Sequence, residues 1–560
     1  MTSKNNLLFA LCITACLCTG CNKTDTPPPP PPIVTPETFD FKELKINNAT
    51  QSAPVYNVAL SPALKLTFTA NVNRTTVGGG ITLKNNSGAD VAFTATYENG
   101  DSTVLLQPVL APLTKYFVTI GNGLKTQRNT VLSNSYSLAL FTQIDSAAKF
   151  PVIADNALLD LVQKQTFKYF WDFGHPVSGL ARERNNGDNN LVTSGGSGFG
   201  IMAIVTGISR NFITRGEGLS RMQTITAFLK NTAQTFKGAF PHWLNGTTGA
   251  VIPFSTKDDG ADLVETSYLV QGLLCARQYF NGAGASETSL RNDINTICDR
   301  VEWDWFRKSN ENVLYWHWSP TYNWDINQKI QGWNESMITY ILAASSAAHG
   351  VPATVYTGGW AANGTNGFIN GNAYYGYTLP LGPPRGGPLF FSHYSFMGIN
   401  PNGLTDLYAN YTTQTKNHTL INYSYCIANP NNFYGYSDQC WGLTASDVPN
   451  GYTASSPTND VGVIAPTAAI SSLPYTPAES MKALKFFYYT LGDKLWKEYG
   501  FVDAFALKDL WYANSFLAID EGPVIVMIEN YRSGLLWNLL TGCPEVKAGM
   551  KKLGFTAPYL

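Results

Sequence analysis

Residues 262–280, DLVETSYLVQGLLCARQYF, carry the reading that decides the fold. Apolar side chains at Leu263, Val270, Leu273, Leu274 and Phe280 recur at helical spacing, so they gather on one face. Leu219, Met222, Ile225, Phe228 and Leu229 repeat the pattern upstream. Further helices are expected near 156–172, 198–210, 286–299, 335–348, 461–472, 477–491 and 522–540. Thr476-Pro477-Ala478-Glu479 reads as a capping box with proline at the first helical position, and Asn334 is a weaker start signal. Roughly ten to twelve helices from about residue 150 to 560 point to a mainly α fold, an (α/α)6 barrel with nested inner and outer rings. The connections 306–333, 350–402 and 426–460 are longer than ordinary loops, which in compact domains are commonly functional. They are expected to wall a cleft at one end of the barrel.

Toward the N-terminus the period changes to two. Leu64–Phe68, Ile81–Leu83, Val91–Ala95 and Tyr116–Ile120 alternate apolar and polar residues, with turn signals such as Asn99-Gly100. Residues 41–145 are therefore expected to form a small immunoglobulin-like β-sandwich. The stretch has no Trp or His, which favours a spacer or packing role.

Ahead of it, residues 22–40 form a Pro-rich linker in which Pro27–Pro32 should be extended. Residues 1–21 read as an export signal: Lys4 precedes an apolar run too short to span a bilayer permanently. Its end, Leu17-Cys18-Thr19-Gly20-Cys21, resembles a bacterial lipobox and makes Cys21 the expected lipidation site. Ordinary secretion with cleavage nearby is the alternative. The expected product is an exported, monomeric lipoprotein of the cell envelope.

The bulk numbers narrow the chemistry. With 44% hydrophobic residues, 560 residues can bury large cores. Only 14% of residues are charged, 38 basic against 39 acidic, so no basic footprint for nucleic acid or polyuronate is present. A neutral ligand fits better. All 13 tryptophans and all six histidines lie from Trp171 onward, so the second domain is expected to carry the chemistry. Five scattered cysteines beyond Cys21 do not form a disulfide framework. No C-x-x-C pair or H-E-x-x-H string signals a metal, and no cofactor is expected. The run Gly195–Gly200 lacks a P-loop lysine and a preceding βαβ strand, and Phe199 interrupts any nucleophile elbow, so nucleotide binding and serine hydrolysis are disfavoured.

Glycoside hydrolysis needs one carboxyl to protonate the leaving oxygen and another to act as nucleophile or to activate water. Glu265 sits one turn into an apolar helix, where partial burial would raise its proton affinity. As a bare pattern it reads better as a partner of the helix dipole. Four other acidic clusters compete: Glu183 with Arg182, Arg184 and Asp188; Glu335 beside Trp333; Asp438, Gln439, Trp441 and Asp447 in one loop; and Asp520-Glu521 before Gly522-Pro523. Each reads equally well as solvated surface charge.

Taken in order, Gly198-Phe199-Gly200, Asp262-Leu263-Val264-Glu265-Thr266, Trp333-Asn334-Glu335, Gly442-Leu443-Thr444-Ala445-Ser446-Asp447 and Asp520-Glu521-Gly522-Pro523 resemble the glucoamylase-like domain of glycoside hydrolase family 144. The resemblance covers residues 155–560. It implies an endo-β-1,2-glucanase on an (α/α)6 barrel, releasing sophoro-oligosaccharides with inversion of configuration. By motif position it implies Glu265 as general acid and Asp447 as general base, with Glu183, Asp188, Glu335, Asp438 and Glu521 as further cleft carboxylates. Trp243, Trp324, Trp333, Trp441, Trp511 and Tyr512 are stacking candidates, since a flat amphipathic ring suits a sugar face. Arg182, Arg184, His242 and Gln439 are hydrogen-bonding candidates. Competing readings are a hydrolase of another glucan linkage, a polysaccharide lyase, and a non-catalytic surface glycan-binding lipoprotein.

Overall fold

The computed structural model describes residues 37–560. The export signal, Cys21 and the proline run lie outside the described residues. Among those described, no helix is long and apolar enough to cross a membrane.

The first unit is a two-sheet sandwich. Its strands are β1 (Phe41–Ile46), β2 (Ala49–Gln51), β3 (Val55–Val58), β4 (Leu64–Phe68), β5 (Ile81–Asn85), β6 (Phe93–Glu98), β7 (Thr103–Pro108), β8 (Lys115–Ile120) and β9 (Tyr136–Thr142). One sheet has the order β2-β1-β4-β7-β6 and the other β3-β9-β8-β5. Alternation does what it should: Leu64, Leu66 and Phe68 point inward while Lys65 and Thr67 reach solvent. With Val104, Leu106, Val118 and Ile120 they form a core of their own. Asn99 and Gly100, both at positive φ, turn β6 into β7. The sandwich meets the second unit at Tyr56, which stacks on Tyr434 and donates to the Lys508 carbonyl at 3.2 Å.

The second unit is helical: α1 (Asp155–Trp171), α2 (Ser194–Ser209), α3 (Arg215–Asn231), α4 (Leu263–Tyr279), α5 (Ala285–Asp299), α6 (Met337–Ser345), α7 (Tyr411–Ala428), α8 (Pro466–Ile470), α9 (Pro477–Lys485), α10 (Ala518–Ser533), α11 (Leu535–Thr541) and α12 (Pro544–Lys552). Helices α2, α4, α6 and α10 are buried on nearly every side. In contrast, α3, α5 and α12 bury one stripe each, as peripheral helices do. Helix α4 packs on α2 and α6, and α10 packs on α2 and α8; α1 covers α2 and α10 from outside.

The Gly195–Gly200 run forms the first turns of α2, so the helix expected near 198–210 starts four residues earlier, at Ser194. Its glycines are there for contact: a Cβ at Gly198 would lie 2.1 Å from the Tyr268 carbonyl oxygen, and one at Gly272 would lie 2.2 Å from that of Gly198. Helices α2 and α4 therefore touch backbone to backbone. The Thr476 side chain does not cap α9; the capping box forms instead at Thr214 and Glu217, at the start of α3.

Candidate active site

The chain enters α4 through Asp262, whose Oδ1 accepts the Val264 and Glu265 N–H groups at 3.0 and 2.9 Å. That cap fixes the first turn and sets the direction of Glu265, whose side chain is buried (5% exposed). Glu265 Oε2 accepts the Gly195 N–H at 2.8 Å, at the start of α2, and the Thr193 hydroxyl at 3.4 Å. Burial raises the Glu265 proton affinity; nearby His242 opposes that shift and Asp262 adds to it.

Around Asp262 stand two histidines. His242 Nδ1 lies 3.0 Å and His317 Nε2 3.6 Å from Asp262 Oδ2, and His317 is 3.5 Å from Asp258. Burial alone would lower the His242 pKa, but Glu265, Asp262 and Asp258 together push it up to about 9. Asp262 is held well below the usual carboxylate range by its two histidine partners, against the effect of burial. Asp258 is pushed up to about 6 by burial and by Asp262. His242, Asp258 and Asp262 bring ligand atoms within 4.8 Å of one another, a donor set that could hold a metal ion. Glu335, just before α6, completes this side; burial pushes its pKa up to about 7, and Glu265 and Asp262 add to the shift.

A second group gathers on Arg184. Its Nε donates to Glu183 at 3.0 Å, and its two Nη atoms reach the two oxygens of Asp447 at 3.3 Å each. Asp447 also accepts the Ser515 hydroxyl, and its own N–H donates to Asp503 Oδ2 at 2.7 Å. Asp447 lies on the short strand Ala445–Val448, in the long connection between α7 and α8. Asp520 and Glu521 sit buried in the first turn of α10. Glu183, raised chiefly by burial, senses both Asp447 and His242, so it stands between the two groups. Acidic side chains from widely separated segments thus converge on one region.

The remaining candidates divide. Trp243, half-buried, pairs with Thr193 across a small sheet and packs on Phe254, beside His242. Trp511 and Tyr512 form a short strand against Phe505–Ala506, next to the Asp503 loop. Trp324 stacks on Trp305 at 4.8 Å. Trp333 and Trp441 are corrections: both are buried in the core, Trp333 stacked on Tyr411 and Trp441 edge-on to Tyr423, so neither has a face for a sugar. Arg182 is occupied by the carbonyls of Asn189 and Phe173. Asp188 is exposed and accepts the Asn190 N–H in a surface turn. Asp438 pairs with Lys482 of α9, and Gln439 beside it is exposed. Sequence reading missed Asp258, Asp503 and His317. Asp503, alone in the apolar run Phe501-Val502-Asp503-Ala504-Phe505, was the most readable of these.

Residues 327–544 match the family described as "Putative glucoamylase", and residues 42–142 match "Bacterial Ig-like domain". The exo beta-1,2-glucooligosaccharide sophorohydrolase (non-reducing end) of Parabacteroides distasonis is 43% identical over 488 residues, which span 83% of this chain and 67% of that protein. The chain belongs to this glucoamylase-like family. The crystal structure of a beta-1,2-glucanase from Parabacteroides distasonis is 39% identical with a TM-score of 0.71, covering 92% of this chain and 73% of that one. An endo-beta-1,2-glucanase from Chitinophaga pinensis, solved with sophorotriose and glucose, is 50% identical with a TM-score of 0.71. That match covers 73% of this chain and all of the other. The family match includes Glu335, Asp447, Asp503 and Glu521, while Glu265 lies ahead of it in a segment reached by the longer alignments.

Proposed function

We propose that the protein is an endo-acting β-1,2-glucan hydrolase, with Glu265 as general acid and Asp447 as general base. The observation that carries this reading is the convergence of Glu335, Glu265, Glu183 and Asp447 through the Arg184 and His242 contacts. Glu265 is buried and raised in proton affinity, as a donor to a leaving oxygen must be. Asp447 already holds Arg184 and Ser515, so its activation of water in an inverting step uses the coordination left free. Half-buried Trp243 with Phe254 offers an aromatic wall beside His242. The packing of α2, α4, α6, α8 and α10 fits the inner ring of an (α/α)6 toroid over residues 150–560, with residues 41–145 as the sandwich. Together with the leader, Cys21 and the proline spacer, the reading describes a monomeric, lipid-anchored enzyme of the cell envelope.

Purified protein incubated with linear β-1,2-glucan should generate new reducing ends and an early ladder of sophoro-oligosaccharides. Release of sophorose alone from the first time points would replace endo by exo action. A Glu265→Gln variant that keeps near-normal turnover would remove the acid assignment.

A further inference from the structure

Behind Asp447 lies a buried acidic pair that the hydrolytic step does not use directly. Asp503, 3% exposed, occupies the bend between the short strands Gly500–Phe501 and Phe505–Ala506; Asp520, 4% exposed, is in the first turn of α10. Asp503 Oδ2 accepts the Asp447 N–H, and the backbone N–H of Asp503 donates to the Ser515 carbonyl at 2.9 Å. Asp503 therefore ties together the strand that carries Asp447 and the residue whose hydroxyl binds it.

The other oxygen of Asp503, Oδ1, and Oδ2 of Asp520 both lack a donor from any other group, though both are sealed from solvent. Two buried, charged carboxylate oxygens without donors would be strongly destabilising. The two side chains are within hydrogen-bonding reach of each other. The space beside them, walled by Thr166, Thr467, Asp503, Asp520 and Glu521, is about 10 Å³, at the lower limit for one water. The donor that satisfies both orphaned oxygens is thus best supplied from within the pair, as a carboxyl O–H.

We propose that Asp503 and Asp520 share a single proton and that this pair is the clamp that positions Asp447, Asp503 being a positioning residue for the hydrolysis. The inference rests on the assignment of Asp447 above. Like charges in close contact cannot both ionise in a buried site, so one proton stays with the pair. Burial pushes Asp503 up to about 7 and Asp520 in the same direction. The charged and titratable groups facing the pair are Asp447 and Arg184 from the cleft side, Glu521 from α10, and Tyr452 and Tyr394. Arg184 is the cation of that set and is shared with Glu183 and Asp447, so it cannot replace the proton. When the pair loses its proton, mutual repulsion should push Asp503 away from the Asp447 N–H and loosen the base.

Asp520→Asn is the decisive variant, because an amide N–H mimics the shared proton and cannot dissociate. It should keep kcat within about threefold at mildly acidic pH and move the alkaline fall of kcat upward by about one pH unit. Asp503→Ala should lower kcat about fiftyfold or more with KM within about threefold. An alkaline limb that stays in place in Asp520→Asn, or loss of its activity at every pH in a protein of native melting temperature, would overturn the proposal. So would a folded Asp503→Ala enzyme of near-normal kcat; if that variant does not fold, Asp520→Asn decides alone. Infrared difference spectra of an Asp447→Asn protein separate this proposal from the assignment of the base. Adding Asp520→Asn should remove one component of the protonated-carboxyl absorption there, leaving those of Glu265 and Glu335 in place, whatever Asp447 itself does; a band unchanged by Asp520→Asn would refute proton sharing.

Discussion

The backbone N–H of Gly195, in the first turn of α2, donates to Oε2 of Glu265, in the first turn of α4, at 2.8 Å. The bond exists because position 195 has no side chain: a Cβ there would lie 2.4 Å from that same oxygen. Two helix starts that are 70 residues apart in sequence are thereby brought to one carboxyl group.

Gly195→Ala should therefore act on catalysis more than on folding. The methyl must displace side chains rather than backbone: the Glu265 carboxyl, whose Oε2 is 2.4 Å away, and the edge of the Tyr268 ring at 2.9 Å. A misplacement of about 1 Å at a reacting group costs on the order of 10²-fold in rate. We expect kcat on β-1,2-glucan to fall by about that factor, with the melting temperature little changed.

Gly198→Ala should do the reverse. Its Cβ would meet backbone, 2.1 Å from the Tyr268 oxygen and 2.7 Å from the Leu269 Cα, and backbone cannot swing aside. Separation of α2 from α4 should cost at least about 1–3 kcal/mol, read as a lower denaturation midpoint.

Arg210→Ala should destabilise strongly. Arg210 makes two bonds to Glu529, at 2.6 and 3.0 Å, and the Glu529 side chain is 1% exposed. Removal of the guanidinium leaves a buried carboxylate with only Gln163 and Ser533 as donors. Loss of one partner from a buried pair costs about 3–5 kcal/mol, measurable by chemical denaturation.

The pH dependence of stability should carry the mark of Glu335. Its folded-state pKa is raised to about 7, from an ordinary value near 4.5. A group raised on folding contributes stability that is fully present below its unfolded pKa and is lost as pH rises through the folded one. The melting temperature of the protein should accordingly decline between about pH 4.5 and about pH 7, and Glu335→Gln should flatten that decline. An equal slope in both proteins would show that Glu335 is not titrating in this window.

Much of this architecture is legible from the chain alone. Alternation in Leu64–Phe68 and helical spacing in 262–280 each follow from which faces meet water, and both elements appear where the pattern puts them. Glu265 could be picked out as a carboxylate one turn into an apolar helix, but its role as acid came from the family resemblance, and the Asp262 cap that directs it is visible only in the structure. The aromatic candidates fared less evenly: Trp333 and Trp441 lie beside acidic residues in sequence, yet their rings fill the core. A linear neighbour does not determine which way an indole points.

What the sequence by itself determined, then, is the pair of periodicities, the division into an alternating and a helical unit, and the place of Glu265 one turn into an apolar helix. Only the tertiary structure decided that Arg184 reaches Asp447 across 263 residues, that Asp503 stands behind it, and that glycines 195 and 198 serve contact between helices. The reason is physical: periodicity reports the side of one element that faces away from water, whereas ion pairs, shared protons and close crossings depend on distances between elements that are set only when the whole core packs.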